Sequence, residues 1–232
     1  MSLFNLAVLI SGSGSNLQAI IDAITNGVLE NVKISLVISN RDGAYGLKRA
    51  DNSGITNLVI DKNEITKLLD TLEKQDINGI VLAGYLSILP PEIIKTYSGQ
   101  IINIHPALLP LFGGKGFYGI KVHQAVLASG APYTGATVHL VDSGIDTGPS
   151  LVRGVVPVHA NDTAESLQER VLEVEHFILV KAVKALAEGR IEELKSNPVT
   201  IVNKSDKQGI LDYAKGLSEL GEVLAKIKHN DR

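Results

Sequence analysis

The feature that most constrains the fold is an alternation of short apolar runs with helix-like segments over the first hundred residues. Residues 6–10 form a continuous apolar run, which is typical of a strand covered on both faces. Similar runs recur at 34–38, 55–60, 80–83 and 100–104, and helical patterns lie between them at 17–24, 44–52 and 64–75. This alternation predicts an α/β fold with a mostly parallel sheet, flanked by helices and joined by right-handed crossovers.

The second half of the chain shows a different pattern. Strand-like runs at 133–141 and 151–158 are joined by a connection too short for a crossover helix, so we expect an antiparallel strand pair. Asp162 and Glu165 resemble a capping box, which predicts a long helix that continues to about residue 187.

Composition limits the classes of function. The chain has 232 residues, a net charge of −3 and no cysteine. The near-neutral charge gives no reason to expect nucleic-acid binding, and no apolar run is long enough to span a membrane. The absence of cysteine excludes disulfides and thiolate metal sites, and no pair of histidines has convincing metal-ligand spacing. We therefore expect a cytoplasmic protein that acts on small molecules.

Asn103 and His105 stand at the end of a predicted strand that Pro106 terminates, because proline cannot continue the ladder of hydrogen bonds. Two residues apart, their side chains share one face of the strand. An amide that polarises a carbonyl would then lie beside an imidazole that moves a proton near neutral pH. The alternative for such a pair is that the two side chains only cap neighbouring backbone.

A glycine-rich loop, SGSGSN at 11–16, joins the first strand to the first helix. This layout lets backbone N–H groups and the helix dipole hold a phosphate, which Gly14, Ser15 and Asn16 would contact. The third glycine of a dinucleotide-binding fingerprint is missing, because Leu17 occupies its place. A single phosphate therefore fits better, and a plain turn capped by Ser15 or Asn16 is the alternative.

Asp142 and Asp146 lie in the glycine-containing connection between the two later strands. Aspartate at such a place is usually a turn residue that makes local hydrogen bonds, and Asp146 fits that interpretation better than Asp142 does. His139 is flanked by apolar residues, so we interpret it as a core or edge residue whose hydrogen bonds are satisfied.

Four stretches together resemble one family. SGSGSNLQA at 11–19, LAGY at 82–85, NIHPALLP at 103–110 and TVHLVD at 137–142, followed by DTGP at 146–149, occur in the order and spacing of the phosphoribosylglycinamide formyltransferases. The resemblance covers about residues 5–190. It implies a Rossmann-like formyltransferase fold and a domain at 1–190, with an extension at 191–232 that we expect to be helical.

The resemblance also implies the reaction and its residues. These enzymes transfer a formyl group from 10-formyltetrahydrofolate to the amine of glycinamide ribonucleotide in purine synthesis, and need no metal. Asn103, His105 and Asp142 match the catalytic trio, with Asp142 raising the affinity of His105 for a proton either directly or through a water. Gly14, Ser15 and Asn16 match the phosphate loop, and Glu175 matches the carboxylate that receives the ribose hydroxyls.

The folate side is implied less completely. Leu86, Ser87, Ile88 and Leu89 match the segment whose backbone reads the pterin, and Asn103 faces the same co-substrate. Lys62 stands near the place where the family often has an arginine for the folate tail, and Leu172 stands where some members have a polar side chain.

Three other functions stay open. Methionyl-tRNA formyltransferase resembles the chain around Asn103, His105 and Asp142, but lacks this phosphate loop and adds a basic C-terminal domain. Formyltetrahydrofolate hydrolase shares the trio but carries an N-terminal regulatory domain. A non-catalytic nucleotide-binding module would not need all three residues. Association into a homodimer is also left open.

Overall fold

The computed structural model describes residues 3–61 and 63–202. The strands are β1 (Phe4–Ile10), β2 (Val32–Ser39), β3 (Asn57–Val59), β4 (Gly79–Leu82), β5 (Ile101–His105), β6 (Tyr133–Leu140), β7 (Ser150–Pro157) and β8 (Val199–Val202). The helices are α1 (Ser15–Thr25), α2 (Tyr45–Asn52), α3 (Ile65–Lys74), α4 (Pro91–Thr96), α5 (Ile120–Ser129), α6 (Ala164–Ala187) and α7 (Ile191–Ser196). All eight strands form one sheet, in the order β3-β2-β1-β4-β5-β6-β7-β8.

The sheet changes character at β5. Strands β1 to β5 pair in parallel, whereas β6 is antiparallel to both β5 and β7. The mostly parallel sheet and the antiparallel pair in the C-terminal half are therefore confirmed. The strand order also reverses between β1 and β4, which is the position where open α/β sheets bind ligands.

Helices cover both faces of the sheet. One core cluster joins Val8 of β1 to α1 and α6, through residues such as Ile20 and Ile178. A second cluster joins Leu9, on the opposite face of β1, to Leu72 of α3. All five side chains are fully buried, and burying each one stabilises the fold by about 1.5–3 kcal/mol. Burial on both faces explains why β1 is apolar without alternation.

The end of β5 is as the sequence predicted. The strand stops at His105, immediately before Pro106, and Asn103 and His105 lie on the same face. Asn103 pairs with His139 across the β5–β6 ladder, and His105 pairs with Thr137. Residues that pair across a ladder point to the same face, so His139 joins Asn103 and His105 there.

The long helix α6 begins with a different cap from the predicted one. Thr163 and Ser166 form the capping box, because each side chain accepts the other's backbone N–H. Asp162 instead makes an ion pair with Arg170, at 2.6 Å, and this pairing holds its pKa well below the usual range. The predicted helix end at residue 187 is confirmed.

The described part of the C-terminal extension differs from the expectation. Residues 191–196 form α7, as a helical extension would, but Val199–Val202 form β8 and pair in parallel with β7. These residues continue the main sheet, and the division of the chain at residue 190 stays a prediction. The rest of the extension, 203–232, lies outside the described residues. Within the described ranges, no helix has the length and apolar character needed to cross a membrane.

A substitution at Gly135 of β6 tests how closely this strand packs against β7. A methyl group at this position would overlap the carbonyl oxygen of Gly154 on the neighbouring strand. We expect Gly135→Ala to lower the free energy of unfolding by about 1–3 kcal/mol or more, because backbone cannot yield as a side chain does. Gly43→Ala is the matched control, since no atom lies within 4 Å of its added methyl group. Urea unfolding measures both, and equal stabilities would contradict the packing argument.

Candidate active site

A cavity of about 670 Å³ opens beside the strand-order reversal, and we call it the central cavity. The glycine loop lines it on one side and residues 83–88 on another, with the end of β5 between them. The loop at 114–119 and helix α6 complete its wall. The cavity therefore brings together the two regions that the sequence assigned to a phosphate and to proton transfer.

Four polar side chains meet below this cavity. Asn103 Nδ2 lies 3.0 Å from His139 Nε2 and 3.4 Å from Asp146 Oδ1. The other carboxylate oxygen of Asp146 lies 3.5 Å from His105 Nδ1. Asp146 comes from the connection between β6 and β7, which must fold back over β5 to place the carboxylate there. We call Asn103, His105, His139 and Asp146 the polar cluster.

His139 determines which way the Asn103 amide points. His139 Nδ1 lies 2.8 Å from the Leu140 carbonyl oxygen, which can only accept, so Nδ1 carries a proton. In the neutral ring Nε2 is then an acceptor, and Asn103 must present its NH₂ group to it. This leaves one N–H of Asn103 for the longer contact with Asp146, or for a ligand.

Both ring nitrogens of His105 face acceptors. Nε2 donates to the carbonyl oxygen of Phe112 at 2.8 Å, and Nδ1 faces Asp146. Burial lowers the pKa of His105, whereas the Asp146 charge and the Phe112 carbonyl raise it, and the net effect is a lowered pKa. A neighbouring carboxylate was expected to raise the affinity of His105 for a proton. The loss of water around the ring outweighs that effect on the pKa.

Asp146 keeps its charge in this cluster. Burial alone would raise the pKa of Asp146, but the neighbouring rings of His139 and His105 lower it. The backbone N–H of Gly114, which donates to Oδ2 at 2.9 Å, acts in the same direction. Because the net pKa lies below its usual value, Asp146 is an anion at neutral pH.

The glycine loop leaves the start of α1 open. Gly14 adopts a left-handed conformation with φ of 69°, and no side chain caps the first backbone N–H groups of the helix. A Cβ at Gly14 would lie 2.6 Å from Gly46 Cα. Glycine is therefore required here by backbone conformation and by packing against α2, in addition to any approach of a phosphate.

Glu175 of α6 lies at the foot of the glycine loop. It is only 8% exposed, and its Oε2 accepts a hydrogen bond from Asn16 Nδ2 at 2.7 Å. Burial raises the pKa of Glu175 to about 7, and the Asn16 bond offsets part of that effect. Asn16 Oδ1 is also buried and has no hydrogen-bond partner among the described residues. An unpaired buried acceptor beside a carboxyl group suits a hydroxyl-bearing ligand.

The segment after β4 presents apolar side chains to the cavity. Leu86 is 50% exposed and Ile88 is 73% exposed, and both line it together with Ser87. Leu89 instead packs into the second core cluster and does not line the cavity.

Comparison with known proteins identifies the family. A profile described as formyl transferase matches residues 4–183. The chain belongs to the formyl transferase family.

Several relatives of this formyl transferase family member are described as phosphoribosylglycinamide formyltransferases. A chloroplastic phosphoribosylglycinamide formyltransferase of Vigna unguiculata is 46% identical over 193 residues, which cover 80% of this chain and 62% of that protein. The Haemophilus influenzae phosphoribosylglycinamide formyltransferase is 38% identical over 199 residues, which cover 83% of this chain and 91% of that protein. The crystal structure of the enzyme from Anaplasma phagocytophilum, with 37% identity, has a TM-score of 0.74 and matches 81% of this chain and 89% of that one. This likeness confirms the Rossmann-like formyltransferase fold.

The structure exchanges the expected places of the two aspartates. Asp142 Oδ1 accepts hydrogen bonds from the backbone N–H of Gly144 at 3.0 Å and from the hydroxyl of Thr147 at 2.6 Å. Asp142 is thus the turn residue, and the carboxylate beside His105 belongs to Asp146. The prediction of Asp142 as that neighbour is therefore wrong, because the connection folds back after Asp142 and brings the fourth residue onward into the family member's polar cluster.

The other predicted positions are distributed as follows. Gly14, Ser15, Asn16, Glu175, Leu86, Ser87, Ile88, Asn103 and His105 all line the central cavity, and Leu172 lines it too. Lys62 lies outside the described residues. His139 was missed, because its part in the polar cluster depends on the register between β5 and β6.

The raised pKa of Glu175 predicts a pH dependence of stability. Its pKa of about 7 lies above the ordinary value of 4.5 for glutamate, so the folded protein binds more protons than the unfolded chain between these pH values. Stability from this group is complete below about pH 4.5 and is lost as the pH rises through about 7. Wild type should therefore lose roughly 2 kcal/mol of unfolding free energy from this group between pH 5 and pH 8.

Glu175→Gln removes the titration and should abolish this part of the decline, as measured by urea unfolding at both pH values. The same substitution at the exposed Glu169 of α6 is the control. Parallel pH profiles for wild type and Glu175→Gln would contradict the assignment.

Proposed function

We propose that this chain transfers the formyl group of 10-formyltetrahydrofolate to the amine of glycinamide ribonucleotide in purine synthesis, as the description of several relatives indicates. One observation carries the proposal. An uncapped helix start, suited to a phosphate, and a polar cluster, suited to acyl transfer, line the same cavity. The apolar side chains of Leu86 and Ile88 offer a surface for the rings of the folate.

Formyl transfer places negative charge on the formyl oxygen. The amine attacks the formyl carbon, and a new C–N bond forms before the bond to the folate nitrogen breaks. Asn103 can stabilise the oxygen with the N–H that makes only a 3.4 Å contact with Asp146. One such donor typically lowers the barrier by about 3–4 kcal/mol.

A proton must also move during the reaction. It leaves the attacking amine and reaches the departing folate nitrogen. No electrons are exchanged, so the reaction needs neither an oxidant nor a reductant. In our proposal His105 carries positive charge as the oxygen becomes negative, and Asp146 stabilises the charged ring through Nδ1. We therefore assign to Asp146 the catalytic part that the sequence analysis gave to Asp142.

The ribonucleotide is held on the other side of the cavity. We propose that the backbone N–H groups of Gly14, Ser15 and Asn16 bind its phosphate, aided by the dipole of α1. Glu175 and the unpaired Asn16 Oδ1 would receive the ribose hydroxyls. Leu172 contributes only apolar contact, so specificity for the nucleotide rests on the loop and on Glu175.

The rival functions are less well supported. An enzyme that formylates a tRNA would not need the loop around Gly14, which suits the phosphate of a small substrate. A hydrolase would need no site for an acceptor amine opposite His105. A non-catalytic module would need neither Asn103 nor Asp146 to lie against histidines.

We propose that no metal takes part; within the described ranges, the structure has no cluster of three or more carboxylate or histidine side chains able to hold one. Small molecules are the proposed partners. The homodimer and the cytoplasmic location stay predictions, and the Vigna unguiculata relative is described as chloroplastic.

The direct test is turnover with purified substrates. We expect formyl transfer to require both glycinamide ribonucleotide and 10-formyltetrahydrofolate, and to persist in the presence of a metal chelator. The dephosphorylated acceptor should react much more slowly at equal concentration, because it cannot use the start of α1. Equal rates with the two acceptors would refute the phosphate site, and loss of activity with chelator would refute the metal-free reaction.

The two aspartates give a sharp comparison. We expect Asp146→Asn to lower kcat by about 10²-fold or more, because it removes the charge beside His105. Asp142→Asn should lower kcat much less, since it alters only hydrogen bonds within the turn. Steady-state kinetics of the two folded variants measure the difference. A larger loss in Asp142→Asn would reverse the assignment.

A further inference from the structure

A chain of three hydrogen bonds joins the carboxyl ends of two strands to the apolar wall of the central cavity. The backbone N–H of Leu86 donates to Ser11 Oγ at 2.8 Å. The Ser11 hydroxyl donates to Asn40 Oδ1 at 2.7 Å, and Asn40 Nδ2 donates to Ser87 Oγ at 2.6 Å. Ser11 follows β1 and Asn40 follows β2, so both are attached to the rigid sheet.

The donors and acceptors in this series of hydrogen bonds are consistent with one another. Ser11 Oγ already accepts the Leu86 N–H, so its own proton is free to donate to Asn40. Asn40 must therefore present its carbonyl oxygen to Ser11, which turns its amide nitrogen toward Ser87. Each donor thus faces an acceptor, and the side chain of Asn40 has only one orientation that satisfies both neighbours.

Apart from these hydrogen bonds, the segment 84–89 is held by apolar packing of Tyr85 and Leu89 against the second core cluster. Among the described residues, no backbone hydrogen bond to another backbone group is made by any of these six positions. The segment nevertheless presents Leu86 and Ile88 to the cavity as exposed apolar side chains. Because segment 84–89 has no ladder of backbone hydrogen bonds, its position depends on contacts with side chains behind it.

We propose that Ser11 and Asn40 are positioning residues that set the affinity for the folate by fixing segment 84–89 through Leu86 and Ser87. The inference rests on the proposed function, because it assigns this wall to the folate side of the cavity. Neither residue needs to touch the reacting atoms. The fixed wall is ready for the flat rings of the co-substrate, so no ordering of the segment opposes binding.

Three alanine variants test the proposal: Ser11→Ala, Asn40→Ala and Ser87→Ala. Loss of one or two hydrogen bonds of ordinary strength corresponds to a rise of about 5- to 30-fold in the KM for 10-formyltetrahydrofolate. The KM for glycinamide ribonucleotide should stay within about twofold. Ser35→Ala is the matched control, because Ser35 lies near the other end of β2 and bonds only Asn5 there. It should change neither KM.

The double variant Asn40→Ala/Ser87→Ala tests the link itself. If the two side chains act through one hydrogen bond, the double variant should raise the folate KM by less than the product of the two single effects. Effects that multiply would overturn the link. Ser87 is half-buried and outside the core, so Ser87→Ala keeps the test valid if Asn40→Ala fails to fold.

The outcomes separate this inference from the proposed function. If wild type shows no formyl transfer, the proposed function is wrong. If wild type turns over and all three folded variants keep the wild-type folate KM, only the inference is overturned. A rise of both KM values together would also overturn it, because that result indicates a general disturbance of the cavity.

Discussion

The Asp146 carboxylate is a negative charge in a place with little water, and the polar cluster depends on it. An anion survives there only if donors surround it. The Asn103 side chain of β5 and the backbone N–H of Gly114 provide them, and the rings of His105 and His139 lie beside the carboxylate. The connection after β6 then folds back to bring the charge to these side chains. Neutralising the carboxylate would weaken the acceptor of the Gly114 N–H and remove the charge beside His105.

The antiparallel entry of β6 makes this arrangement possible. A strand parallel to β5 would end at the same edge of the sheet as β5 does. The loop after it would therefore start beside the end of β5. β6 runs the other way, so its last residues pair with the start of β5 and the connection must return across the face. The reversal thus covers the side chains of β5 with a loop, while the parallel half of the sheet carries the glycine loop on the other side of the cavity.

Much of the fold could be predicted from the sequence because its signals are local. Apolar runs, the stop at Pro106 and the helical spacing of 164–187 each depend on neighbours along the chain. The polar cluster could be predicted only in part. Asp142 and Asp146 are both loop aspartates, and only the fold-back of the connection decides which one meets His105. His139 needed the β5–β6 register, and β8 needed a partner strand that no local pattern identifies.

The hydrogen bond from His105 to the Phe112 carbonyl has a consequence for selectivity between ground state and transition state. A formyl group bound to nitrogen is an amide, and its oxygen accepts a hydrogen bond about as well as a peptide carbonyl does. If the formyl oxygen replaces the Phe112 carbonyl as the acceptor of the His105 hydrogen bond, the binding free energy therefore changes little while the substrate is uncharged. Once the oxygen becomes an alkoxide, it is a much stronger acceptor than any peptide group. In the proposed reaction, the Phe112 carbonyl would thus hold the His105 proton in the ground state, and this proton would contribute binding energy only at the point where it speeds the reaction.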